Sequence, residues 1–156
     1  MSDFETTSDQ INGGIAKLPL LAAVIALIGL GDAVYLTVSH YTKEQVPCSL
    51  ITGCEQVLTS AYAEMFGIPL ALFGAVAYFM AFSLAILAAF GNRLMWFLFG
   101  LLTACMFLYS LYLIYLQAYV IQAFCQFCLL SAATTTVLFI IALVSKFWQA
   151  RQTNFK

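Results

Sequence analysis

The sequence predicts an all-α integral membrane protein, a bundle of four transmembrane helices with a short interfacial helix in its first extracytoplasmic loop. Hydrophobic residues make up 63% of the 156 residues and charged residues only 8%, more apolar surface than a soluble domain of this length can hide. Four apolar runs are each long enough to cross a bilayer, which takes about 20 helical residues. We therefore expect one membrane domain over residues 17–148, between a flexible cytoplasmic tail over residues 1–16 and a second cytoplasmic tail over residues 149–156.

The charge of the chain argues against nucleic-acid binding and against a cleaved signal peptide. The net charge is −1 and no basic cluster is present, so nucleic-acid binding is not expected. The amino terminus is acidic and lacks the basic segment of a signal peptide, and the apolar run that follows is too long for a signal peptide's core. We expect the first helix to remain in the mature protein.

The first predicted helix covers residues 18–39. Pro19 is tolerated in the first turn of a helix, and small residues such as Gly29 and Gly31 allow a neighbouring helix to approach closely. Asp32 interrupts this apolar run. A carboxylate within the membrane is a functional candidate by default. The alternative is a protonated Asp32 that is hydrogen-bonded to a neighbouring helix.

The longest connection, residues 40–67, holds the most polar internal stretch of the chain. In its second half, apolar residues recur at helical spacing from Val57 to Met65, opposite a face that includes Thr59 and Ser60. This pattern predicts a short helix that lies flat on the membrane.

Turn residues separate the remaining helices. Gly67, Ile68 and Pro69 turn the chain into the second helix, because proline suits the first turn of a helix. This helix is predicted to end near Phe90, and Gly91, Asn92 and Arg93 form a tight connection. The third helix is predicted over residues 94–118 and the fourth from Cys125 or Gln126 to Phe147.

Four of the five cysteines form two pairs. Cys125 and Cys128 have the Cys-x-x-Cys spacing at the start of the fourth helix, where unpaired amide groups and the helix dipole favour a thiolate. Cys48 and Cys54 flank a flexible span that can close a loop and also swing. We expect the two pairs to exchange electrons at the membrane surface. The alternatives are a static disulfide or buried thiols at Cys125 and Cys128, and a static loop disulfide at Cys48 and Cys54.

The fifth cysteine, Cys105, lies near the middle of the third helix. An apolar environment makes a thiol unreactive and leaves it without a partner. We expect Cys105 to serve in packing only, and Cys105→Ala to leave turnover nearly intact.

The distribution of positive charge predicts the orientation. With four crossings, both cysteine pairs fall on the same side of the membrane, and Lys43 is the one lysine or arginine expected beside them. The positive-inside rule therefore puts both pairs outside the cytoplasm and both termini within it. That compartment is oxidising, which favours disulfide chemistry. The lysines and arginines on the opposite side are Lys17, Arg93, Lys146, Arg151 and Lys156.

Several ordered motifs give the chain a resemblance to the vitamin K epoxide reductase family, in particular to its bacterial-type members, over about residues 18–147. The resemblance implies a four-helix bundle around a quinone, capped by a short interfacial helix, in a bacterial inner membrane. The motifs are Asp32-Ala-Val-Tyr-Leu-Thr, Cys48, Gly53-Cys54-Glu55-Gln56-Val57-Leu58, Ser60, Gly67-Ile68-Pro69, Phe73-Gly74 and Cys125-Gln126-Phe127-Cys128.

The same resemblance implies roles for the cysteines. Cys48 and Cys54 resemble the shuttle pair that takes electrons from an external thiol, Cys125 resembles the cysteine that Cys54 attacks, and Cys128 the one that contacts the quinone. The implied protein partner is a separate thioredoxin-fold thiol-disulfide protein, since no such domain is fused to the chain. The implied quinone is ubiquinone or menaquinone, in contact with membrane lipid. Candidate quinone-lining residues are Ser60, Phe73, Tyr112, Tyr115 and Phe127.

The resemblance thus favours a quinone-dependent thiol oxidase that makes disulfides. Vitamin K quinone or epoxide reduction is an alternative, but Ala132 replaces a tyrosine that follows the second active-site cysteine of the vertebrate enzymes by four positions. A non-catalytic membrane protein with zinc on four cysteines is a second alternative. A carrier of reducing equivalents across the membrane is a third, although Cys105 is the only cysteine in the interior to serve it.

Overall fold

A computed structural model describes the backbone of residues 2–43, 46 and 53–153, and the side chains of residues 17–43, 46 and 53–146. Within these residues, four helices are long and apolar enough to cross a membrane. The prediction of an all-α membrane bundle is confirmed, and the chain is an integral membrane protein. The candidate spans are Lys17–Thr42, Leu70–Ala89, Arg93–Ile121 and Gln126–Lys146.

The helices extend beyond the apolar runs at both ends of the chain. The first begins at Ser2, within the stretch predicted as a flexible tail, and the last continues to Thr153. Hydropathy reports where a membrane ends rather than where helical hydrogen bonding ends. In chain order the elements are α1 (Ser2–Thr42), α2 (Cys54–Leu58), β1 (Glu64–Met65), β2 (Ile68–Pro69), α3 (Leu70–Ala89), α4 (Arg93–Tyr115), a π-helix (Leu116–Ile121) and α5 (Gln126–Thr153).

Small residues allow the helices to pack as antiparallel neighbours. Gly29 of α1 lies directly against the ring of Tyr78 of α3, while Ala33 lies opposite Gly74, where a Cβ would be 3.8 Å from that of Ala33. The contacting positions ascend along α1 as they descend along α3, so the two helices are antiparallel. Close approach at small residues is how helices associate where lipid removes the hydrophobic driving force.

Helices α4 and α5 are antiparallel as well. Phe107 stacks on Phe139 with ring centroids 4.9 Å apart, and the indole N–H of Trp96 donates to the hydroxyl of Ser145. The short connection from α3 to α4 forms as predicted. Asn92 caps α4 by accepting a hydrogen bond from the Leu94 N–H at 3.1 Å.

A polar cluster ties α3 to α5 inside the bundle. The side chain of Tyr78 is 1% exposed. Its hydroxyl donates to the carbonyl oxygen of Ser131 at 2.7 Å and lies 2.8 Å from Thr134 Oγ1 and 2.7 Å from Thr135 Oγ1. A buried phenol needs such partners, so this cluster fixes α3 against the turns of α5 that follow Cys128.

The predicted interfacial helix is shorter than the apolar pattern suggests. Helix α2 ends at Leu58, where the hydroxyls of Thr59 and Ser60 donate to carbonyl oxygens of the helix. Such side chains compete with helical hydrogen bonding. The chain then forms the antiparallel pair β1 and β2, which turns through Phe66 and Gly67 at positive φ. The prediction of a helix as far as Met65 is wrong for this reason.

Candidate functional site

Cys54 and Cys125 belong to one buried cluster at the end of the bundle where α2 meets the start of α5. Cys54 is 2% exposed and Cys125 is 0% exposed, and Val57 and Ala123 complete the buried set. Cys54 is in a disulfide, whereas Cys125 and Cys128 are thiols. One cysteine of each predicted pair therefore lies in this cluster. Cys48 lies outside the described residues.

Gly53 permits this approach. Its φ of +140° is a conformation that side chains rarely adopt. A Cβ there would lie 3.2 Å from the Cβ of Ala123 and 3.3 Å from the carbonyl oxygen of Phe124. The backbone before Cys54 thus packs against the backbone before Cys125. Only glycine combines this conformation with this contact.

The amino end of α5 activates Cys125. Its sulfur accepts hydrogen bonds from the Cys128 thiol and from the backbone N–H groups of Cys128 and Phe127. The Cys128 bond is the largest cause, and together these bonds outweigh burial and lower the pKa of Cys125 from 9.0 to about 7. A thiolate at the start of a helix is the form that takes part in disulfide exchange.

We predict that the reduced protein carries a thiolate at Cys125 from about pH 7 upward. The folded protein lowers this pKa, so the thiolate increases as pH rises through that value and disappears below it. The ultraviolet thiolate absorbance of the reduced wild type, minus that of Cys125→Ser, measures it. Cys128→Ala removes the main hydrogen-bond donor and should move the midpoint up towards 9.0. An unshifted midpoint in the wild type would contradict the assigned hydrogen bonds.

A cavity of about 360 Å³ opens inside the bundle beside this pair. Cys128 lines it, as do residues of α1, α3 and α4, whereas Cys125 is not among the lining residues. Ser131 and Thr135, which hold Tyr78, extend the lining along α5. The volume lies within the usual range for small-molecule sites. Cys125 thus shares a buried cluster with Cys54, while Cys128 packs against that cluster and also lines an apolar cavity.

A sequence profile of the Vitamin K epoxide reductase family matches residues 20–143 of the chain. The chain belongs to the vitamin K epoxide reductase family. The matched region includes all five cysteines and the whole cavity. Members of this family are membrane oxidoreductases that act with quinones, so the chain is assigned the same general kind of activity.

The cavity has the chemistry that a quinone of this family requires. Its lining is mainly apolar, which suits a ring with a hydrocarbon tail, and it lies within membrane-spanning helices. Asp32 lines it, and the Oδ2 atom of Asp32 is buried without a hydrogen-bond partner among the described residues. Quinone oxygens accept hydrogen bonds, and the Tyr109 hydroxyl would supply a donor, while the Ser60 hydroxyl already donates to the Val57 carbonyl oxygen. These residues and Cys128 would hold the quinone.

The candidate quinone-lining residues divide into two groups. Ser60 and Phe73 line the cavity. Tyr112 and Tyr115 do not, because they lie on the outer face of α4 and are 52% and 55% exposed. Phe127 is also absent from the lining and packs on Tyr35 with ring centroids 5.5 Å apart. Ala132, at the position of the vertebrate tyrosine, does line the cavity.

Cys105 does not serve in packing alone, although its position near the middle of a membrane helix suggested that it would. Its thiol is exposed, and the residue lines the cavity on α4. The apolar pattern cannot separate a core position from a cavity position, because both are apolar. The prediction that Cys105 serves only in packing is therefore wrong.

We predict that Cys105→Phe weakens quinone use about tenfold, equivalent to about 1.4 kcal/mol, because the ring fills part of the cavity. Cys105→Ala adds no bulk and should keep an apparent KM for quinone near that of the wild type. Steady-state kinetics with a short-chain ubiquinone compare the two variants. If the phenylalanine had no effect, the quinone would bind elsewhere; an equal loss in both variants would give the thiol itself a role.

Gln117 is a site residue that the sequence reasoning missed. It lies in the π-helix, is 3% exposed, and its Oε1 accepts the Cys125 N–H at 3.2 Å. Its side-chain amide is also within hydrogen-bonding reach of the Cys128 thiol. The available signal was a lone amide within an apolar helix, eight residues before Cys125.

No group of three or more His, Cys, Asp or Glu that could hold a metal occurs within the part of the chain that the structure describes. Zinc on all four cysteines would need Cys48, which is outside that part. Metal analysis of the purified protein tests this alternative directly.

Proposed function

We propose that the chain is a quinone-dependent thiol oxidase that passes electrons from a thioredoxin-fold partner through two cysteine pairs to ubiquinone or menaquinone. One observation carries this proposal. Cys54 and Cys125 are buried in one cluster, while Cys128 opens into the quinone-sized cavity. An electron relay needs one sulfur of the Cys125–Cys128 pair beside the Cys48–Cys54 pair and the other sulfur beside the quinone.

The burial of Cys54 supports one order of exchange over the other. An external thiolate has no access to a sulfur that is 2% exposed, so it attacks the other sulfur of the shuttle disulfide, which we assign to Cys48. Cys54 leaves as a thiolate beside Cys125 and attacks the Cys125–Cys128 disulfide. Cys128 is then released at the cavity. The second thiol of the partner attacks the mixed disulfide between the partner and Cys48, so the oxidised partner leaves, and the freed Cys48 resolves the Cys54–Cys125 bond to leave Cys125 and Cys128 reduced.

The last step returns the pair to its oxidised form. A bound quinone supplies a two-electron acceptor. Cys125 and Cys128 lose two electrons and two protons and form one disulfide. Gln117 holds the two residues in register through its contacts to the Cys125 N–H and the Cys128 thiol. The buried cluster around Cys54 and Cys125 excludes water and competing thiols.

Reconstitution tests the proposal. Purified protein is mixed with a reduced thioredoxin-fold protein and a short-chain ubiquinone or menaquinone, and quinone absorbance is followed. We expect oxidation of the partner and loss of quinone in equal amounts. Serine at any of Cys48, Cys54, Cys125 or Cys128 should stop partner-driven turnover, whereas Glu55→Gln, which changes an exposed residue outside the cavity, should not. Quinone loss that persists without Cys54 would refute the relay.

The proposed side of the membrane has its own test. We propose that both cysteine pairs lie outside the cytoplasm, on the charge distribution of Lys17, Arg93 and Lys146. After reduction, a membrane-impermeant thiol reagent applied to intact cells should label Cys48. A tag at Lys156 should stay protected from external protease. Labelling only in broken cells would reverse the orientation.

A further inference from the structure

Asp32 has no structural explanation among its described neighbours. It lies in the membrane-spanning part of α1 and lines the cavity, and its Oδ2 atom is buried without a partner. An unpaired buried carboxylate is costly. The only ion pair that the structure describes joins His40 to Glu64, so Asp32 is not held by a salt bridge there.

Asp32 is an electrostatic neighbour of the Cys125–Cys128 pair. The charge of Asp32 acts on the sulfurs of both Cys125 and Cys128. Cys128 and Asp32 also line the same cavity. Asp32 and Cys128 therefore border the same space, in which the quinone would bind. The other titratable residues of the lining are His40, Tyr62, Tyr78, Cys105 and Tyr109.

The proton that leaves Cys128 needs an acceptor inside the cavity. In the reduced pair, Cys128 donates its hydrogen to the Cys125 sulfur. That hydrogen must leave as the disulfide forms, and the surroundings are an apolar cavity within the membrane. Reduction of a quinone to its hydroquinone takes up two protons. A group that carries a proton across the cavity would serve both ends of the reaction.

We propose that Asp32 takes the proton of Cys128 as the Cys125–Cys128 disulfide forms and donates it to the nearer oxygen of the quinone. This inference rests on the proposed function. The S–H bond of Cys128 breaks, one S–S bond forms, and the electron pair passes to the quinone. Cys125 had already lost its proton to water when its thiolate formed. The other quinone oxygen takes one proton from water, so the protons balance. Asp32 ends each cycle unchanged.

Single-turnover kinetics test the role. The chain is fully reduced, freed of reductant and mixed with a short-chain ubiquinone. We expect Asp32→Asn to slow quinone reduction on the order of 10²-fold, as loss of general acid–base catalysis does, and Asp32→Glu to recover part of the rate. Glu55→Gln is the matched control, since it removes an exposed carboxylate that does not line the cavity. Equal rates for Asp32→Asn and Glu55→Gln would overturn the proposal.

A second readout needs no quinone. Oxidation of the reduced chain with diamide should increase the protonated carboxyl band in its infrared difference spectrum, because Asp32 gains the proton of Cys128 and has no quinone to pass it to. This change should be absent in Asp32→Asn and present in Glu55→Gln. A band that survives in Asp32→Asn would overturn the proposal.

Two controls separate the possible failures. In a Cys128→Ala background, Asp32→Asn should still form the Cys54–Cys125 disulfide, which shows that the variant folds and exchanges thiols. Loss of that bond would give Asp32 a structural role and overturn the proposal. If the wild type itself fails to reduce quinone, the proposed function fails. If the wild type works and Asp32→Asn matches it, only the role of Asp32 fails.

Discussion

Cys128→Ala is expected to abolish quinone reduction and to accumulate a disulfide between Cys54 and Cys125. Cys54 and Cys125 are buried together, so the Cys125 thiolate can attack the disulfide of Cys54 and release Cys48 as the leaving thiolate. Without Cys128, the Cys125 sulfur lacks its partner in the pair, and Cys48 is left able to hold the external protein. Non-reducing mass mapping of protein isolated from cells detects the cross-link.

Cys125→Ala is the matched control for this trap. It removes the sulfur that Cys54 attacks, so the same cross-link cannot form and Cys128 should be found unpaired. A bond from Cys48 to Cys125 in Cys128→Ala would exchange the roles of the two loop cysteines. Absence of any disulfide between the loop and α5 in folded single variants would favour a static loop disulfide.

Gly29→Ala is expected to destabilise the folded protein by about 2 kcal/mol or more, in the upper range for overpacking a core. A Cβ at Gly29 would overlap the ring of Tyr78, and Tyr78 cannot move away without losing its bonds to Thr134 and Thr135. Thermal unfolding in detergent measures the loss. Gly31→Ala is the control, because nothing lies within 4 Å of a Cβ there, and it should be neutral or stabilising.

A double variant tests whether the loss of stability in Gly29→Ala comes from overlap with the Tyr78 ring. Tyr78→Leu removes the ring, so Gly29→Ala should cost less in that background than in the wild type. Equal costs in both backgrounds would contradict the assigned contact. Tyr78 holds Ser131 and Thr135, which line the cavity. We therefore expect quinone binding to weaken together with stability.

The membrane helices were predictable because their signal is local. A run of about 20 apolar residues reports a span whatever its neighbours are, and Pro69 and Asn92 report the helix starts. The short helix was only partly predictable. Its apolar spacing continues to Met65, but Thr59, Ser60 and the positive φ of Phe66 end it early.

The inner and outer faces of a membrane helix are harder to predict, because lipid and core are both apolar. Tyr112 and Tyr115 face outward on α4, whereas Cys105 faces the cavity. The π-helix adds a second difficulty. It changes the register of the residues that follow Gln117 as far as Ile121, and a regular helical wheel does not anticipate such a change. The cysteine pairs were predicted without such geometry, from their spacing and from their places in the chain.

The most direct measurement counts the quinone molecules that one fully reduced chain reduces without any protein partner. Each dithiol supplies two electrons. If the shuttle pair feeds the Cys125–Cys128 pair, the wild type should reduce two quinones per chain and Cys54→Ala only one, with none for Cys128→Ala. One quinone per chain in the wild type, with the loop thiols still reduced, would contradict electron transfer between the two pairs.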